Sequence, residues 1–339
     1  RRRETAGGSF LGQAATALKG IYGPIQGEIE RVEELLRREL AHENPFVTQL
    51  LEHSTRFHGK RVRPAILLHS AHILGHVTDQ HIALGAVVEL LHNATLVHDD
   101  VLDEAVMRRQ VRTLNHVWGN EASILFGDYL FAKAYTLCAK LHNREANLIL
   151  ARTVEEMCVG ELSQIATKFN FELSEEQYVQ VIYYKTGSLF ATACRLGGVG
   201  SGADPAAIEA LARYGKAFGI AFQIIDDCLD LTGDEAEMGK SLGTDLEKGK
   251  LTLPVIKLLS ELPASERREL QNLLASPNGG AEKKSVVLGM IRERDILSYA
   301  FRRAAEFVEE AKASLRAVRD SVYAESLHSL ADFVLERRA

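Results

Sequence analysis

Ala217-Phe218-Gly219-Ile220-Ala221-Phe222-Gln223-Ile224-Ile225-Asp226-Asp227-Cys228-Leu229-Asp230 is a strongly apolar run that closes on three aspartates. A second stretch, Ala86 to Val97 and then His98, closes the same way on Asp99-Asp100-Val101-Leu102-Asp103, and the two copies hold six of the chain's fourteen aspartates. At this aspartate frequency the pattern should arise by chance in roughly one chain in forty, so two copies are improbable as noise. On a helix the first and last Asp of each copy stand one turn apart and project carboxylates from one face. Like charges so placed destabilise a helix unless a cation bridges them. Oxygen-only ligands suit Mg²⁺, which keeps several waters and completes its octahedron with substrate phosphates. Solvated caps open helices, whereas these motifs close apolar ones, so their charges should line a cavity. The expectation is an all-α, single-domain helical bundle whose central helices carry the two motifs face to face.

The rest of the chain fits that expectation. Ile25, Ile29, Val32, Leu35, Leu36 and Leu40 fall three or four residues apart, the period of an amphipathic helix. The same period predicts helices over 64–75, 79–105, 121–141, 144–169, 174–197, 205–232, 250–261, 264–275, 281–292, 294–319 and 322–336. Pro64 and Pro205 suit helix starts, and Gly75, Gly119 and Gly197-Gly198 suit stops. No alternating strand pattern persists. The motifs lie 127 residues apart, yet no low-complexity linker separates them, and their flanks are too unlike for a repeat. Residues 1–9 are expected to form a disordered tail and 10–339 the folded domain. The start at Arg1-Arg2-Arg3 implies trimming; a targeting remnant stays open, although the apolar stretch of a secretory signal is missing.

With 339 residues, 46% hydrophobic and 25% charged, the chain can bury a large core. A net charge of −6 argues against nucleic-acid binding through a bulk basic surface. Cys138, Cys158, Cys194 and Cys228 stand singly in helical patterns, as thiols of a reducing cytoplasm do, and no apolar run reaches membrane-spanning length. His72 and His76 have a helical spacing that zinc can use, but a third ligand is not evident. Glu155, Glu156, Glu161 and Gln164 could face either a cavity or solvent, and Trp118 reads as packing.

A diphosphate needs cations besides its metals, and they recur near both motifs. His58-Gly59-Lys60-Arg61-Val62-Arg63-Pro64 combines a glycine that lets backbone approach an anion with cations before a helix N-terminus. Arg108-Arg109 follows the first motif; each planar fork can grip phosphate oxygens bidentately, and adjacent arginines, pointing to different sides, can serve two different phosphates. Lys185-Thr186 lies among Tyr183, Tyr184, Leu189 and Phe190, where an ammonium is costly without an anion. Lys240, Asp245 and Gly249-Lys250-Leu251-Thr252-Leu253-Pro254 follow the second motif.

Taken together, these motifs resemble the trans (all-E) isoprenyl diphosphate synthases, most closely the long-chain members of octaprenyl or hexaprenyl type, over nearly the whole chain from about Ile21 onward. The likeness rests on Gly59-Lys60-Arg61-Val62-Arg63-Pro64, His92 ahead of the first motif with Arg108-Arg109 after it, Lys185-Thr186, Phe222-Gln223 before the second motif, and the Gly-Lys signals beyond it. His58 stands where a glycine is common. The resemblance implies that Lys60, Arg63, His92 and Arg109 bind isopentenyl diphosphate, and that Arg108, Lys185, Thr186, Gln223, Lys240 and Lys250 hold an allylic diphosphate. Asp99, Asp103 and Asp226 would coordinate Mg²⁺, typically three ions, with Asp100, Asp227 and Asp230 acting through water or as supports. It also implies a homodimer, peripheral membrane contact for product release, and the released pyrophosphate as the base.

The resemblance also implies that Ala94 and Thr95, five and four residues before Asp99, line the start of a hydrocarbon tunnel and set product length. Small side chains there leave a hydrocarbon tunnel open, as in the long-chain synthases that make quinone side chains, and Phe131, Tyr135 and Met157 are candidates for deeper tunnel positions. A short-chain farnesyl or geranylgeranyl synthase is the alternative. A class I terpene cyclase usually lacks the second aspartate motif, and a non-catalytic synthase subunit normally loses aspartates that all stand here.

Overall fold

The computed structural model describes residues 19–55, 59–233, 243–276 and 280–336, and among these the molecule is helical throughout except for one small hairpin. A 3-10 turn, Gly23–Ile25, leads into α1 (Gln26–Glu39), and α2 (Pro45–Thr55) follows. The sequence pattern did not predict α2. Its start is nevertheless coded locally, because the Asn44 side chain accepts from Phe46 N (2.9 Å) and Val47 N (3.3 Å), ahead of which Pro45 has no N–H to satisfy.

Helix α3 (Val62–Leu74) starts two residues before Pro64, which sits in the first turn where a missing N–H costs nothing. Helix α4 (Asp79–Leu102) carries the first aspartate motif and ends three residues short of the predicted boundary. There the chain enters an antiparallel hairpin, β1 (Met107–Arg108) and β2 (Val111–Arg112). Arg109 (φ 50°) and Gln110 (φ 64°) both occupy the left-handed region at its tip, as a two-residue hairpin turn requires. Helix α5 (Leu114–Ala139) bends at Gly119, and α6 (Arg144–Ala166) begins on an Asn143 cap.

The expected 174–197 helix is three pieces: α7 (Glu175–Ile182), a π turn (Tyr183–Gly187) and α8 (Ser188–Gly197). Then come α9 (Pro205–Thr232), which carries the second motif, and the short α10 (Thr244–Glu247). Helices α11 (Leu253–Glu261), α12 (Ala264–Ala275), α13 (Gly280–Glu293), α14 (Ile296–Ser314) and α15 (Val322–Glu336) complete the chain.

Helix α4 packs along α5, and α9 packs between α8 and α14. Fully buried Leu84, Ala86, Val88 and Leu90 of α4 and Ala221, Ile224 and Ile225 of α9 belong to the one continuous core. Neither helix is amphipathic in the surface sense; both are buried nearly all round, as central helices must be. The apolar runs thus anchor two rods whose C-terminal ends hold carboxylates at the rim of a cavity. No helix among the described residues is long and apolar enough to cross a membrane.

One buried histidine has a measurable consequence. His69 is fully buried; its Nε2 donates to the Ile21 carbonyl (3.0 Å), and its Nδ1 has no partner among the described residues. Burial pulls its pKa down to about 4. The unfolded chain takes up a proton near pH 6.5, which the folded ring refuses. Stability is therefore complete above about pH 6.5 and falls as pH drops toward the folded value, by up to about 1.4 kcal/mol per pH unit from this residue. His69→Gln, whose amide can keep the bond to Ile21, should flatten the acid side of stability measured by urea titration. An unchanged slope would show that His69 titrates normally.

Candidate active site

A cavity of about 630 Å³ opens between the C-terminal ends of α4 and α9 and is closed laterally by α6, α7 and the π turn. Its wall includes Asp99 and Asp103 from α4 and Asp226 and Asp227 from α9. The first motif therefore presents its i and i+4 carboxylates together, as the helical spacing requires. The second does so only in part: Asp230 is buried away from the wall, where its Oδ2 accepts from Asp245 N (3.4 Å) and its carbonyl from Gly243 N (2.8 Å). Asp100 is likewise buried, and one oxygen takes both Arg108 Nε (2.9 Å) and Arg108 Nη2 (2.8 Å). That pair fixes the hairpin against the end of α4 and aims Arg108 at the cavity.

Four further side chains form one directed relay. Thr186 donates to Gln223 Oε1 (2.8 Å), Gln223 Nε2 donates to Asp227 Oδ1 (2.8 Å), and the Tyr178 hydroxyl donates to Asp227 Oδ2 (2.7 Å). Both Asp227 oxygens are thus engaged. Burial, reinforced by Asp245, pushes the Asp227 carboxyl up to about 7. The π turn brings Thr186 to this relay, and two glycines make room for it: a Cβ on Gly160 of α6 would lie 2.5 Å from Lys185 N, and one on Gly219 of α9 would lie 2.6 Å from Gly187 Cα.

Cations meet these carboxylates across the cavity. Lys185 Nζ lies 2.6 Å from Glu161 Oε1, 3.1 Å from Gln164 Oε1 and 3.8 Å from Asp99 Oδ1. Burial opposes its charge, but Asp99 and Glu161 outweigh that and raise its pKa. Lys250 Nζ lies 2.8 Å from Asp103 Oδ1 and 3.3 Å from Asp245 Oδ1. Burial works against the Asp103 charge, yet Lys250 and Lys248 hold its carboxyl below the usual range. Glu161 and Gln164, which the sequence left between wall and solvent, are on the wall; Glu155 is exposed.

The other cationic group surrounds His92. Arg63 is half-buried, with its guanidinium 4.3 Å from the centre of the Phe190 ring, and desolvation pulls its pKa down to about 10. His92 is held neutral, first by burial and then by Arg63, Arg109 and Arg108. Both line the cavity, whereas Gly59, Lys60 and Arg109 lie off its wall. A Cβ on Gly59 would stand 3.3 Å from an Arg109 Nη1, so the glycine admits a guanidinium there. Lys60 Nζ stands 5.0 Å from the Phe333 ring centre. Lys240 lies outside the described residues.

Beyond the charged mouth the wall is apolar: Leu96, Phe131, Val154, Met157, Leu162 and Ile165, with Thr95 among them. Ala94 is fully buried and off this wall, because five residues before Asp99 is about 140° round the helix from it. Tyr135 is also off it and 39% exposed. The His72 ring stacks on Tyr323 (4.0 Å), and its Nε2 lies 3.1 Å from Glu28 Oε1. Trp118 packs edge-on against His53 (4.9 Å).

A site with two facing carboxylate groups, two cation clusters and an apolar pocket binds two anionic head groups and an apolar tail. A family model described as polyprenyl synthetase matches residues 44–291. This chain belongs to that family. Relatives confirm the full-length likeness: the octaprenyl diphosphate synthase of Escherichia coli is 31% identical, covering 91% of this chain and 99% of its own. A short chain isoprenyl diphosphate synthase of Methanothermobacter thermautotrophicus is 33% identical over 91% of this chain and 96% of its own. A crystal structure of a decaprenyl diphosphate synthase from Rhodobacter capsulatus superposes with a TM-score of 0.89 at 33% identity, covering 95% of this chain and 99% of that one. The protein is thus a prenyl-transferring enzyme with the isoprenoid-synthase helical fold, and it condenses isopentenyl diphosphate with an allylic primer in a divalent-metal-dependent reaction.

The donors fit such a metal. Asp99, Asp103 and Asp226 offer only oxygen and face the cavity, while among the described residues three His, Cys, Asp or Glu side chains nowhere converge into a ready-made cage. Carboxylates that leave coordination positions for substrate oxygens are what Mg²⁺ uses with diphosphates. Residues that sequence reasoning missed are Tyr178, Glu161's tie to Lys185, and Lys248, which bonds the Asp103 carbonyl and lies 3.4 Å from its Oδ1.

Proposed function

We propose that the enzyme extends an allylic diphosphate through repeated condensations to a long-chain all-trans polyprenyl diphosphate of the kind used as a quinone side chain. The observation that carries this reading is the apolar wall beyond Asp99, where Thr95 is the side chain one turn ahead of the aspartates. Its hydroxyl is satisfied by the His92 carbonyl (2.8 Å), so a growing prenyl chain meets neither bulk nor an unpaired polar group there. Sequence identity alone does not choose a length, since the short chain relative is 33% identical and octaprenyl and nonaprenyl relatives are 31% and 33% identical.

Arg63 and His92, with Lys60 and Arg109 behind them, receive isopentenyl diphosphate in this reading. Arg108, Lys185 and Lys250 receive the allylic diphosphate, with Thr186 and Gln223 beside it and Lys240 in the same role. These cations stabilise the charge that develops on the leaving diphosphate. Mg²⁺ held by Asp99, Asp103 and Asp226 would add Lewis-acid stabilisation of that leaving group. The apolar wall excludes water from the allylic cation, so the double bond of isopentenyl diphosphate is its nucleophile. The departing diphosphate, retained by Lys185 and Lys250, then takes the proton whose loss restores an allylic product.

The outer faces of α5 and α6 support a homodimer. Ile124, Leu125 and Tyr135 of one helix and Leu148 and Val159 of the other are exposed at helical spacing. A solution mass of a single 37.5 kDa chain would overturn the dimer. Buried Cys138, Cys194 and Cys228 suit a reducing cytoplasm.

Incubation with farnesyl diphosphate, labelled isopentenyl diphosphate and Mg²⁺, followed by chain-length analysis, tests the proposal. Products longer than geranylgeranyl diphosphate are expected. Extension that stops at geranylgeranyl would overturn the long-chain part and leave the short-chain synthase reading in its place.

A further inference from the structure

Phe169 is an aromatic residue in the wrong backbone region. Its φ is 57°, in the left-handed region that a bulky L-residue enters at a cost, and its ring is 43% exposed rather than packed into the core. What the ring touches is a glycine 80 residues away. A Cβ built on Gly249 would lie 2.4–2.5 Å from three ring atoms of Phe169, so the ring lies against the bare Gly249 Cα. The backbone joins the same contact, with Phe169 N donating to Gly249 O (2.8 Å). Gly249 itself has φ 71°, so both partners in the contact hold left-handed backbone.

Gly249 is flanked by Lys248 and Lys250, and both reach back across the cavity mouth to Asp103. Lys250 bonds its Oδ1 at 2.8 Å, and Lys248 bonds its carbonyl and stands 3.4 Å from Oδ1. The other side of the contact, just before Phe169, is also cavity wall, through Gln164 and Thr167. A strained residue whose side chain adds nothing to the core, yet grips the glycine between cavity-lining Lys250 and Lys248, which meets Asp103 from just off the wall, has a positional purpose.

We propose that Phe169 is a positioning residue for the allylic-diphosphate site, a latch that holds Lys248 and Lys250 over the cavity, and that Lys248 is a further diphosphate-binding residue beside Lys250. The proposal rests on the assignment of Lys250 to the allylic diphosphate. The latch keeps both lysines within reach of the phosphate oxygens without a search through lysine rotamers, and a metal held by Asp103 would leave them free to turn to those oxygens.

Phe169→Asn tests this without jeopardising the fold, because Asn tolerates left-handed backbone better than Phe while the ring is lost. The Michaelis constant for the allylic diphosphate should rise roughly tenfold, the loss of about one charge-assisted contact, and that for isopentenyl diphosphate should not move. Limited trypsin cleavage after Lys248 and Lys250, read by mass spectrometry, should accelerate in the variant, and Mg²⁺ with inorganic pyrophosphate should protect the parent. Phe169→Tyr, which keeps the ring, should restore both readouts. Unchanged Michaelis constants with parental cleavage rates, or a fall in kcat alone with a lowered melting temperature, would overturn the latch. A parent protein that condenses nothing would instead count against the enzymatic reading, and the trypsin comparison would still decide the latch.

Discussion

Asp99→Ala and Asp226→Ala should each lower turnover by about a thousandfold or more while leaving the melting temperature near that of the parent. Both carboxylates face the cavity, and Lys185, 3.8 Å from Asp99, keeps its closer contact with Glu161 when Asp99 is removed, so the change falls on the metal ligands more than on the fold. The adjacent aspartates should behave differently. Asp100 anchors the Arg108 fork and Asp227 receives Tyr178 and Gln223, so Asp100→Ala and Asp227→Ala leave buried partners unpaired. Loss of stability on the order of 3 kcal/mol should accompany loss of activity in the Asp100 variant, and about 1–3 kcal/mol in the Asp227 variant. Circular dichroism melts beside steady-state rates separate the two classes. Chelation of the parent protein by EDTA should reproduce the Asp99 and Asp226 rate loss reversibly. Full activity in either cavity variant, or in chelator, would sink the metal-assisted mechanism.

The division between these aspartates marks where sequence stops being informative. Periodicity places α4 and α9 correctly because a buried helix needs apolar residues at every turn, and the i, i+4 rule then puts Asp99 and Asp103 on one face. It cannot say that Asp230, equally spaced from Asp226, turns into the interior, since that depends on the backbone of Gly243 and Asp245 arriving from later in the chain. The hairpin at 107–112 was invisible for a related reason. Its tip is Arg109-Gln110 instead of the Asn-Gly pair that favours positive φ, so the turn is imposed by its surroundings, and the same holds for Phe169. The π turn at 183–187 keeps a helix-like composition and shifts phase by one residue, which a 3.6-residue pattern does not register. Lys185 was legible because an ammonium in apolar context demands a partner, and Thr186 and Lys250 through their places beside it and beyond the second motif in the family pattern. Tyr178 and Lys248 were not: their partners lie 49 and 145 residues away, and neither a tyrosine on an amphipathic helix nor a lysine in a charged turn signals by itself that it needs one.

Thr95→Phe should shorten the product, and Ala94→Phe should not. The two positions are neighbours in sequence and both small, and a reading by distance from Asp99 treats them alike. The structure separates them: Thr95 is on the cavity wall one helical turn before Asp99, whereas Ala94 has no exposed surface and packs into the core on another side of α4. A phenyl ring at Thr95 would occupy space that close-packed neighbours such as Phe131 and Met157 cannot return. Elongation should then stop at farnesyl or geranylgeranyl diphosphate while the first condensation proceeds, because the aspartates and cations are untouched. A ring at Ala94 instead overpacks the core, at a cost of about 1–3 kcal/mol, and should appear as a lowered melting temperature with the parental chain length. Chromatography of radiolabelled products from the three proteins distinguishes the cases. If Thr95→Phe stays folded and active yet makes parental products, the growing chain does not pass Thr95, and the long-chain reading loses the wall on which it rests.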